Sequence, residues 1–286
     1  MAKGNAMKVK VTDTLGFCFG VRRAIELAEA AIAERGPGKV VALGPIVHNR
    51  QVVEELERAG LDQAGDLESI DPSQAVLIRS HGAAPDTYRR AQERGLEIVD
   101  ATCPLVKRAQ EAVERLHEEN YRVVMIGDRN HPEVRSVVSY APNVTVIGDV
   151  AEIEASLPAD QPLGIVAQTT IAPERLAEIT AAIRRQTSGE IKEVNTLCGE
   201  VTRRQKAAVT LAREVDVMFV LGGLDSANTR ELAGLCTAAG CPTYHLETWD
   251  QFDRRMIADR KSAGVTAGTS TSDEVVAEFA GNVETL

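Results

Sequence analysis

The sequence predicts an α/β protein made of three similar small units, each a mostly parallel sheet covered by helices. Short apolar β-type runs alternate along the chain with segments of helical period. The same local pattern also occurs three times, because Cys18, Cys103 and Cys198 lie 85 and 95 residues apart and each begins a similar segment. We therefore expect a pseudo-threefold arrangement of the three units.

The first element after each cysteine is predicted to be a helix. A valine lies three residues after the cysteine, basic residues follow it at once, and an apolar period typical of an amphipathic helix continues the segment. The three segments are CFGVRRAIELAEAA, CPLVKRAQEAVERL and CGEVTRRQKAAVTLA.

Three β-type runs follow in the order of the chain. The first run (VVALG, VVMIG, VMFVLGG) ends in glycine and leads through a polar cluster into an amphipathic segment. The second (AVLIRSHG, LGIVAQTT, GVTAGTSTS) ends in polar residues, and the third (LEIVDATC, IKEVNTLC) leads to the next cysteine. The last unit lacks a third run, and the N-terminal MKVKVTDTLGFC supplies it. We therefore predict that strand segment 1–17 completes the third unit, and that the units span 18–102, 103–197 and 198–286.

The composition excludes several classes of function. The net charge of −10 disfavours a nucleic-acid surface, and 3% aromatic residues leave few platforms on which bases could stack. No stretch approaches the roughly 18 apolar residues needed to cross a bilayer, and the first residues lack the apolar core of a signal peptide. We expect a cytoplasmic protein without a nucleic-acid or membrane partner, in which an anionic substrate needs locally placed donors.

The repeated cysteines are candidate metal ligands. A single cysteine is often a small buried core residue, but a periodic set beside polar strand ends favours ligation. Zinc with three cysteines and a histidine is one alternative, although structural zinc usually uses closely spaced pairs. Widely spaced thiolates favour an iron–sulfur cluster, and three cysteines leave one position open. Cys236 and Cys241 have no counterparts in the other units and are interpreted as packing residues.

Polar residues at the predicted strand ends form the second candidate set. Ligands of parallel α/β sheets bind beyond the carboxyl ends of the strands, and these residues lie there. His48, Glu133 and Asn228 each follow their own cysteine by 30 residues. Taken alone, each histidine is more typical of a structural residue, and each serine or asparagine is more typical of helix capping. Together they predict an anion-binding cavity, in which Glu133 has a raised pKa and donates a proton. The set is His48, His81, His131, Glu133, Thr169, Thr170, Ser226, Asn228 and Ser270.

Motifs spread over most of the chain resemble the LytB family, the 4-hydroxy-3-methylbut-2-enyl diphosphate reductases of the non-mevalonate isoprenoid pathway. The resemblance implies three α/β domains around a central [4Fe–4S] cluster, in which one iron is not held by cysteine. The motifs are GFCFGVRRAIE, GPIVHNRQVVEEL, IRSHGAAP, DATCPLVKR, HPEV, QTT, NTLC, RRQ, SAN and AGTST.

The resemblance also implies roles for individual residues. The cluster would be held by Cys18, Cys103 and Cys198. Glu133 would be the proton source, and Thr169 would lie near the substrate hydroxyl. The reaction would be a two-electron reductive dehydroxylation that yields isopentenyl and dimethylallyl diphosphate, with electrons from a ferredoxin or a flavodoxin. The diphosphate would be bound by His48, His81, His131, Ser226, Asn228 and Ser270.

Four segments depart from the usual family pattern. They leave open two alternatives, a divergent paralogue that acts on another allylic or phosphorylated substrate, and a non-catalytic sensor that carries the cluster. Six anion donors and a retained Glu133 argue against the sensor. The departures are Arg135-Ser136-Val137-Val138-Ser139, Gly199-Glu200-Val201, Ala227 within Ser226-Ala227-Asn228, and Ser272 after Ser270-Thr271.

Overall fold

A computed structural model describes residues 7–153, 157 and 161–286 of the chain. These residues divide into two compact parts. The terminal part contains 7–19, His48–Arg50 and Gly199–Leu286, and the central part contains Gly20–Val47 and Gln51–Cys198. No helix in the described ranges is long and apolar enough to cross a membrane.

The central part contains two four-stranded parallel sheets. The first has the order β3-β2-β4-β5 and the second the order β7-β6-β8-β9. Their strands are β2 (Val40–Leu43), β3 (Leu61–Ala64), β4 (Ala75–Ile78), β5 (Glu97–Asp100), β6 (Arg122–Ile126), β7 (Thr145–Ile147), β8 (Leu163–Ala167) and β9 (Ile191–Glu193). The helices that accompany them are α1 (Phe19–Arg35), α2 (Arg50–Ala59), α3 (Pro85–Glu93), α4 (Pro104–Glu118), α5 (Pro132–Val138) and α6 (Pro173–Gln186).

The terminal part contains the third parallel sheet, in which the N-terminal strand β1 pairs with the last strand β12. Lys8 is in register with Ser262 and Val11 with Val265. The order is β1-β12-β10-β11, which repeats the topology of the other two sheets. Its elements are β1 (Lys8–Val11), β10 (Val217–Leu221), β11 (Thr243–Leu246), β12 (Ser262–Ala267), α7 (Gly199–Ala212), α8 (Ala227–Ala238) and α9 (Asp273–Glu284).

The predicted α/β class, with three similar units and parallel sheets, is confirmed. The exact unit boundaries stay a prediction. The structure adds a fourth strand to each sheet, namely β3, β7 and β11. Strands β3 and β7 escaped detection because they are short edge strands without a continuous apolar run, and β3 has two exposed residues out of four.

The central strands β4, β8 and β10 are buried at every residue, as expected for strands covered by helices on both faces. The second and third sheets accordingly have an apolar cluster on each face. In the third sheet the cluster is partly aromatic, and the ring of Phe219 lies 5.2 Å from that of Phe279 and 5.9 Å from that of Tyr244.

A repeated contact between a helix and a strand fixes the helix that follows each of two cysteines. A Cβ atom at Gly164 of β8 would lie 2.9 Å from the methyl groups of Leu116 on α4. At the equivalent Gly264 of β12, it would meet Sδ of Met218 on β10 first, and it would lie 3.0 Å from Cγ of Leu211 on α7. Only glycine lets these helices approach so closely. The helices that begin after Cys103 and Cys198 are therefore packed against the central strands of their sheets.

Replacing Gly164 with alanine is expected to lower the free energy of unfolding by about 1–3 kcal/mol, because the added methyl group overpacks the site against Leu116. Urea-unfolding curves followed by circular dichroism measure the change. The double variant Gly164→Ala/Leu116→Ala should remain less stable than the wild type. Its loss should nevertheless be smaller than the sum of the two single losses, because the smaller side chain makes room for the methyl group.

Gly234 of α8 provides the matched control, because a Cβ atom there meets nothing within 4 Å. Gly234→Ala should be neutral or stabilise the protein by about 0.5–1 kcal/mol, since alanine is the better helix former. A Gly164→Ala variant as stable as Gly234→Ala would contradict the packing argument.

Candidate functional site

The carboxyl ends of the central strands present the same backbone arrangement in all three sheets. The N–H of each repeated cysteine donates a hydrogen bond to a carbonyl two residues beyond a strand. Cys18 donates to Thr269 at 3.0 Å, Cys103 to Ser80 at 3.0 Å and Cys198 to Thr169 at 2.9 Å. The strand order reverses between β2 and β4, between β6 and β8, and between β10 and β12. Parallel α/β sheets bind ligands beyond the carboxyl ends of the strands at such a point.

Each repeated cysteine directly precedes a helix, so its thiol lies at a helix N-terminus, where the backbone favours negative charge. Burial raises the pKa of the Cys103 thiol, and the N–H groups of Leu105 and Val106 oppose this effect. The charges of Glu133 and Cys198 raise the pKa further, which indicates that both groups lie near Cys103. The five cysteines are all in the described ranges, and none forms a disulfide.

Glu133 is buried at the start of α5, and its carboxyl group is held by one residue. Thr169 donates to it twice, from the backbone N–H to Oε1 at 2.7 Å and from the hydroxyl to Oε2 at 2.9 Å. Burial raises the pKa of Glu133, and the two bonds from Thr169 offset part of the effect. The geometry therefore favours a neutral carboxylic acid that is fixed in orientation.

His131 caps the same helix and lies beside His81. Its Nδ1 accepts a hydrogen bond from the N–H of Glu133 at 3.2 Å. A neutral ring in this arrangement carries its proton on Nε2, which can donate to a ligand. The rings of His81 and His131 are 5.4 Å apart, edge to face. Gly82 permits the turn after His81, because its φ is +75° and a Cβ atom would lie 2.5 Å from Nε2 of Gln110.

The terminal part brings together His48, Ser226, Asn228 and Ser270. The Ser270 hydroxyl donates to the His48 carbonyl at 3.3 Å, and Ser226 caps α8 by accepting from the N–H of Thr229 at 3.3 Å. Asn228 is only 6% exposed, and its Nδ2 has no hydrogen-bond partner among the described residues. A buried donor without a partner is costly in an isolated protein, and an anionic ligand would satisfy it.

The predicted site residues thus form two groups within the described structure. The central part holds Cys103, Cys198, His81, His131, Glu133 and Thr169, whereas the terminal part holds Cys18, His48, Ser226, Asn228 and Ser270. Thr170 joins the first group through its hydroxyl, which accepts from Nε2 of Gln168 at 3.2 Å.

Sequence reasoning missed two amides that support these groups. Asn49 donates from Nδ2 to the carbonyl of Ser270 at 2.6 Å, and it therefore fixes the loop beside His48. Gln168 accepts from the N–H of Asp128 at 3.0 Å and thereby links the ends of β6 and β8. Both residues adjoin a predicted site residue, which is the signal that could have identified them.

The sequence matches known proteins along nearly its whole length. The model of the LytB protein family matches residues 9–284. A 4-hydroxy-3-methylbut-2-enyl diphosphate reductase of Pelobacter propionicus is 44% identical over 279 residues, which are 97% of this chain and 98% of that protein. A relative of the same name from Geotalea uraniireducens is 42% identical over 280 residues, 98% of each chain. The chain belongs to the LytB family.

A solved structure supports this assignment. The E-1-hydroxy-2-methyl-but-2-enyl-4-diphosphate reductase of Plasmodium falciparum has a TM-score of 0.92 and is 26% identical. The match covers 97% of this chain and 88% of that chain.

Several of the residues that the sequence marks as departures from the family pattern have structural roles in this chain. Ser272 caps α9 by accepting from the N–H of Val275 at 3.4 Å. The Ser136 hydroxyl donates to the carbonyl of Ala83 at 3.2 Å and accepts from Gln110 at 2.9 Å. Val201 is buried in the packing of α7.

Glu200 is a further departure, and it pairs with a buried guanidinium of the same helix. Nη2 of Arg204 lies 2.9 Å from Oε1 of Glu200, and the Arg204 side chain is only 3% exposed. Arg204 also donates to the carbonyl of Leu15 at 2.9 Å, and Glu200 accepts from the N–H of Phe19 at 3.4 Å. The pair therefore links α7 to the chain on both sides of Cys18.

Replacing Glu200 with alanine is expected to lower the free energy of unfolding by about 2–3 kcal/mol, because the charge of Arg204 stays buried without its partner. Chemical unfolding in urea measures the loss. Glu214→Ala is the matched control, since Glu214 pairs with Lys10 while both side chains are 52% exposed, and its loss should stay within about 0.5 kcal/mol. Equal losses in the two variants would refute the role of the buried pair.

The raised pKa of Glu133 should make stability depend on pH. Between the ordinary pKa of glutamate, about 4.3, and the raised value, the folded protein keeps a proton that the unfolded chain releases. The free energy of unfolding should therefore fall by about 1.4 kcal/mol for each pH unit in that window and level off above the folded pKa.

Glu133→Gln should remove this slope. Its free energy of unfolding should exceed that of the wild type by an amount that grows with pH across the same window. Urea unfolding at a series of pH values tests the difference, with the exposed Glu193→Gln as control. Parallel stability curves for the wild type and Glu133→Gln would show that Glu133 does not hold a proton in the folded state.

Proposed function

We propose that this LytB-family protein reduces 4-hydroxy-3-methylbut-2-enyl diphosphate to isopentenyl and dimethylallyl diphosphate. The substrate takes up two electrons and two protons, the C–O bond of its allylic hydroxyl breaks, and water leaves. The observation that carries the proposal is the buried carboxyl group of Glu133, fixed by two hydrogen bonds from Thr169 beside Cys103. Identity of 44% to a reductase of this name favours this function over a divergent paralogue or a sensor.

LytB-family enzymes are iron–sulfur proteins, and the residues of this chain fit such a group. Three thiols, each directly before a helix and each anchored by the same backbone hydrogen bond, form a soft ligand set. We assign Cys18, Cys103 and Cys198 as ligands of a [4Fe–4S] cluster with one iron not held by cysteine. When bound, such a cluster supplies electrons and a Lewis-acidic iron, and a ferredoxin or flavodoxin would replenish the electrons.

Glu133 and Thr169 are placed to move a proton. When Glu133 is protonated, its O–H can donate to the Thr169 hydroxyl, which is then released to donate to the substrate hydroxyl. Ionisation of Glu133 restores the bond at 2.9 Å that Thr169 donates to Oε2. Burial raises the pKa of Glu133, which favours the protonated form that a general acid requires.

The remaining polar residues would bind the diphosphate. Asn228 offers an Nδ2 donor without a partner in the described residues, and His131 offers Nε2–H. Ser226 lies at the N-terminus of α8, where backbone N–H groups favour anions. Because the whole chain carries a net charge of −10, these local donors must supply the attraction. The proposed set is His48, His81, His131, Ser226, Asn228 and Ser270.

Anaerobic purification followed by iron and sulfide analysis, then turnover with the diphosphate substrate and a chemical reductant, tests the proposal. Cys103→Ala should lose most of its iron, whereas Cys236→Ala should keep it, because Cys236 is a buried packing residue. Glu133→Gln should retain iron but lose at least a hundredfold in kcat, which is the usual scale of general acid catalysis.

Two results would overturn the assignment. A wild-type protein without iron after anaerobic reconstitution would exclude the cluster, and full turnover by Glu133→Gln would exclude the proton role. An intact cluster with no turnover of this substrate would instead support the divergent paralogue.

A further inference from the structure

A second polar pocket lies in the central part of the molecule, outside the proposed substrate set. Its volume is about 400 Å³. It lies between the segments that follow β3 and β4 of the first sheet and the segment that follows β6 of the second sheet. Pro132 and Ser136 of α5 line one side, and Gly65 and Leu67 line another. Two arginines, Arg79 after β4 and Arg135 on α5, also line it.

Neither guanidinium has an acidic partner. Among the residues that the structure describes, no ion pair or side-chain hydrogen bond involves Arg79 or Arg135. Arg79 is half-buried, and Nη1 lies only 3.2 Å from the position a Cβ atom would occupy on Gly44. Burial and the neighbouring positive charge of Arg135 lower the pKa of Arg79, which shows that the two cations repel each other.

The acidic side chains of the pocket are already engaged. Glu68 forms an ion pair with Arg90, which also lines the pocket. The Asp66 carboxylate accepts from the N–H of Ser69 at 3.0 Å. Among the described residues, Arg79 and Arg135 therefore form no ion pair with either carboxylate of the lining, and the cations of the lining outnumber its anions.

We propose that Arg79 and Arg135 form a binding site for a small phosphate-type dianion. Two guanidinium groups present several N–H donors in planar forks, which match the oxygens of phosphate. A dianion between them removes their mutual repulsion, and the partial burial of Arg79 strengthens its attraction. The pocket accommodates such an ion with its bound water. This site goes beyond the proposed function, since it shares no residue with the proposed substrate and cluster sets.

Calorimetric titration of the anaerobically purified holoenzyme with inorganic phosphate tests the site. The double variant Arg79→Gln/Arg135→Gln should raise the Kd for phosphate at least tenfold, because both charged donors are lost. Arg89→Gln is the matched control, since Arg89 lies on the adjacent α3 and pairs with Asp86 and Glu93 outside the pocket. It removes one positive charge next to the pocket, where the double variant removes two, and it should leave the Kd within twofold.

A second variant separates this site from the proposed substrate site. Ser226→Ala/Asn228→Ala should keep the phosphate binding that Arg79→Gln/Arg135→Gln loses, whether or not the protein proves to be a reductase. Phosphate binding that disappears in Ser226→Ala/Asn228→Ala and persists in the arginine variant would overturn the proposal, as would a wild type that binds no phosphate at millimolar concentration.

A measurement on the wild type alone tests the site without depending on whether the variants fold. Phosphate should shift the side-chain NMR signals of two arginines in protein labelled at arginine, at the same concentrations that produce heat. Absence of any such shift at saturation would also refute the site.

Discussion

The hydrogen bond from each repeated cysteine to the end of a central strand is the constraint on which the functional site depends. It joins the cysteine to Ser80, Thr169 or Thr269 by the same backbone atoms in every sheet. Because both partners are backbone groups, the geometry survives the change of side chain from one unit to the next. Three different polar neighbours, His81, Thr170 and Ser270, can therefore occupy equivalent positions beside equivalent thiols. One fold repeated three times thus gives each cysteine the same backbone setting, while the polar side chain beside it differs from sheet to sheet.

Burial changes the properties of the acid in this arrangement. Glu133 lies one residue after Pro132 in α5, and the same helix start is capped by His131. Nδ1 of His131 accepts the capping hydrogen bond, which leaves Nε2–H of a neutral ring as its donor, and burial raises the pKa of Glu133. Thr169 holds Glu133 from the end of β8, which also carries the carbonyl that accepts from Cys198. One strand end and one helix start thus position the backbone of Cys198, the carboxyl group of Glu133 and the hydroxyl of Thr169.

The pocket lined by Arg79 and Arg135 is formed by segments that also carry residues of the proposed active site. Arg79 is two residues before His81, and Arg135 is two residues after Glu133. On α5, side chains two positions apart leave the helix on roughly opposite faces, so Glu133 and Arg135 can face different surroundings. The contrast with the engaged Glu68 and Asp66 is what distinguishes the pocket from an ordinary solvated surface.

Much of the fold could be predicted from the sequence because its signal is periodic. The runs VVALG, VVMIG and VMFVLGG predict buried strands, and the cysteine spacing predicts the repeat. The short edge strands β3 and β7 could not be predicted in this way, because pairing with β2 and β6 rather than local apolar content stabilises them. The same limit applied to Asn49 and Gln168, whose partners lie 221 and 40 residues away.

By itself, the sequence determined the repeat, the α/β class and the residue types at the strand ends, since these follow from local period and spacing. Only the tertiary structure decided the protonation and the hydrogen bonding of these residues. It buried Glu133 and gave it Thr169 as a partner, left Nδ2 of Asn228 without one among the described residues, and paired Glu200 with a buried Arg204. Protonation and hydrogen-bond satisfaction depend on desolvation and on neighbours distant in the chain, and no local pattern encodes them.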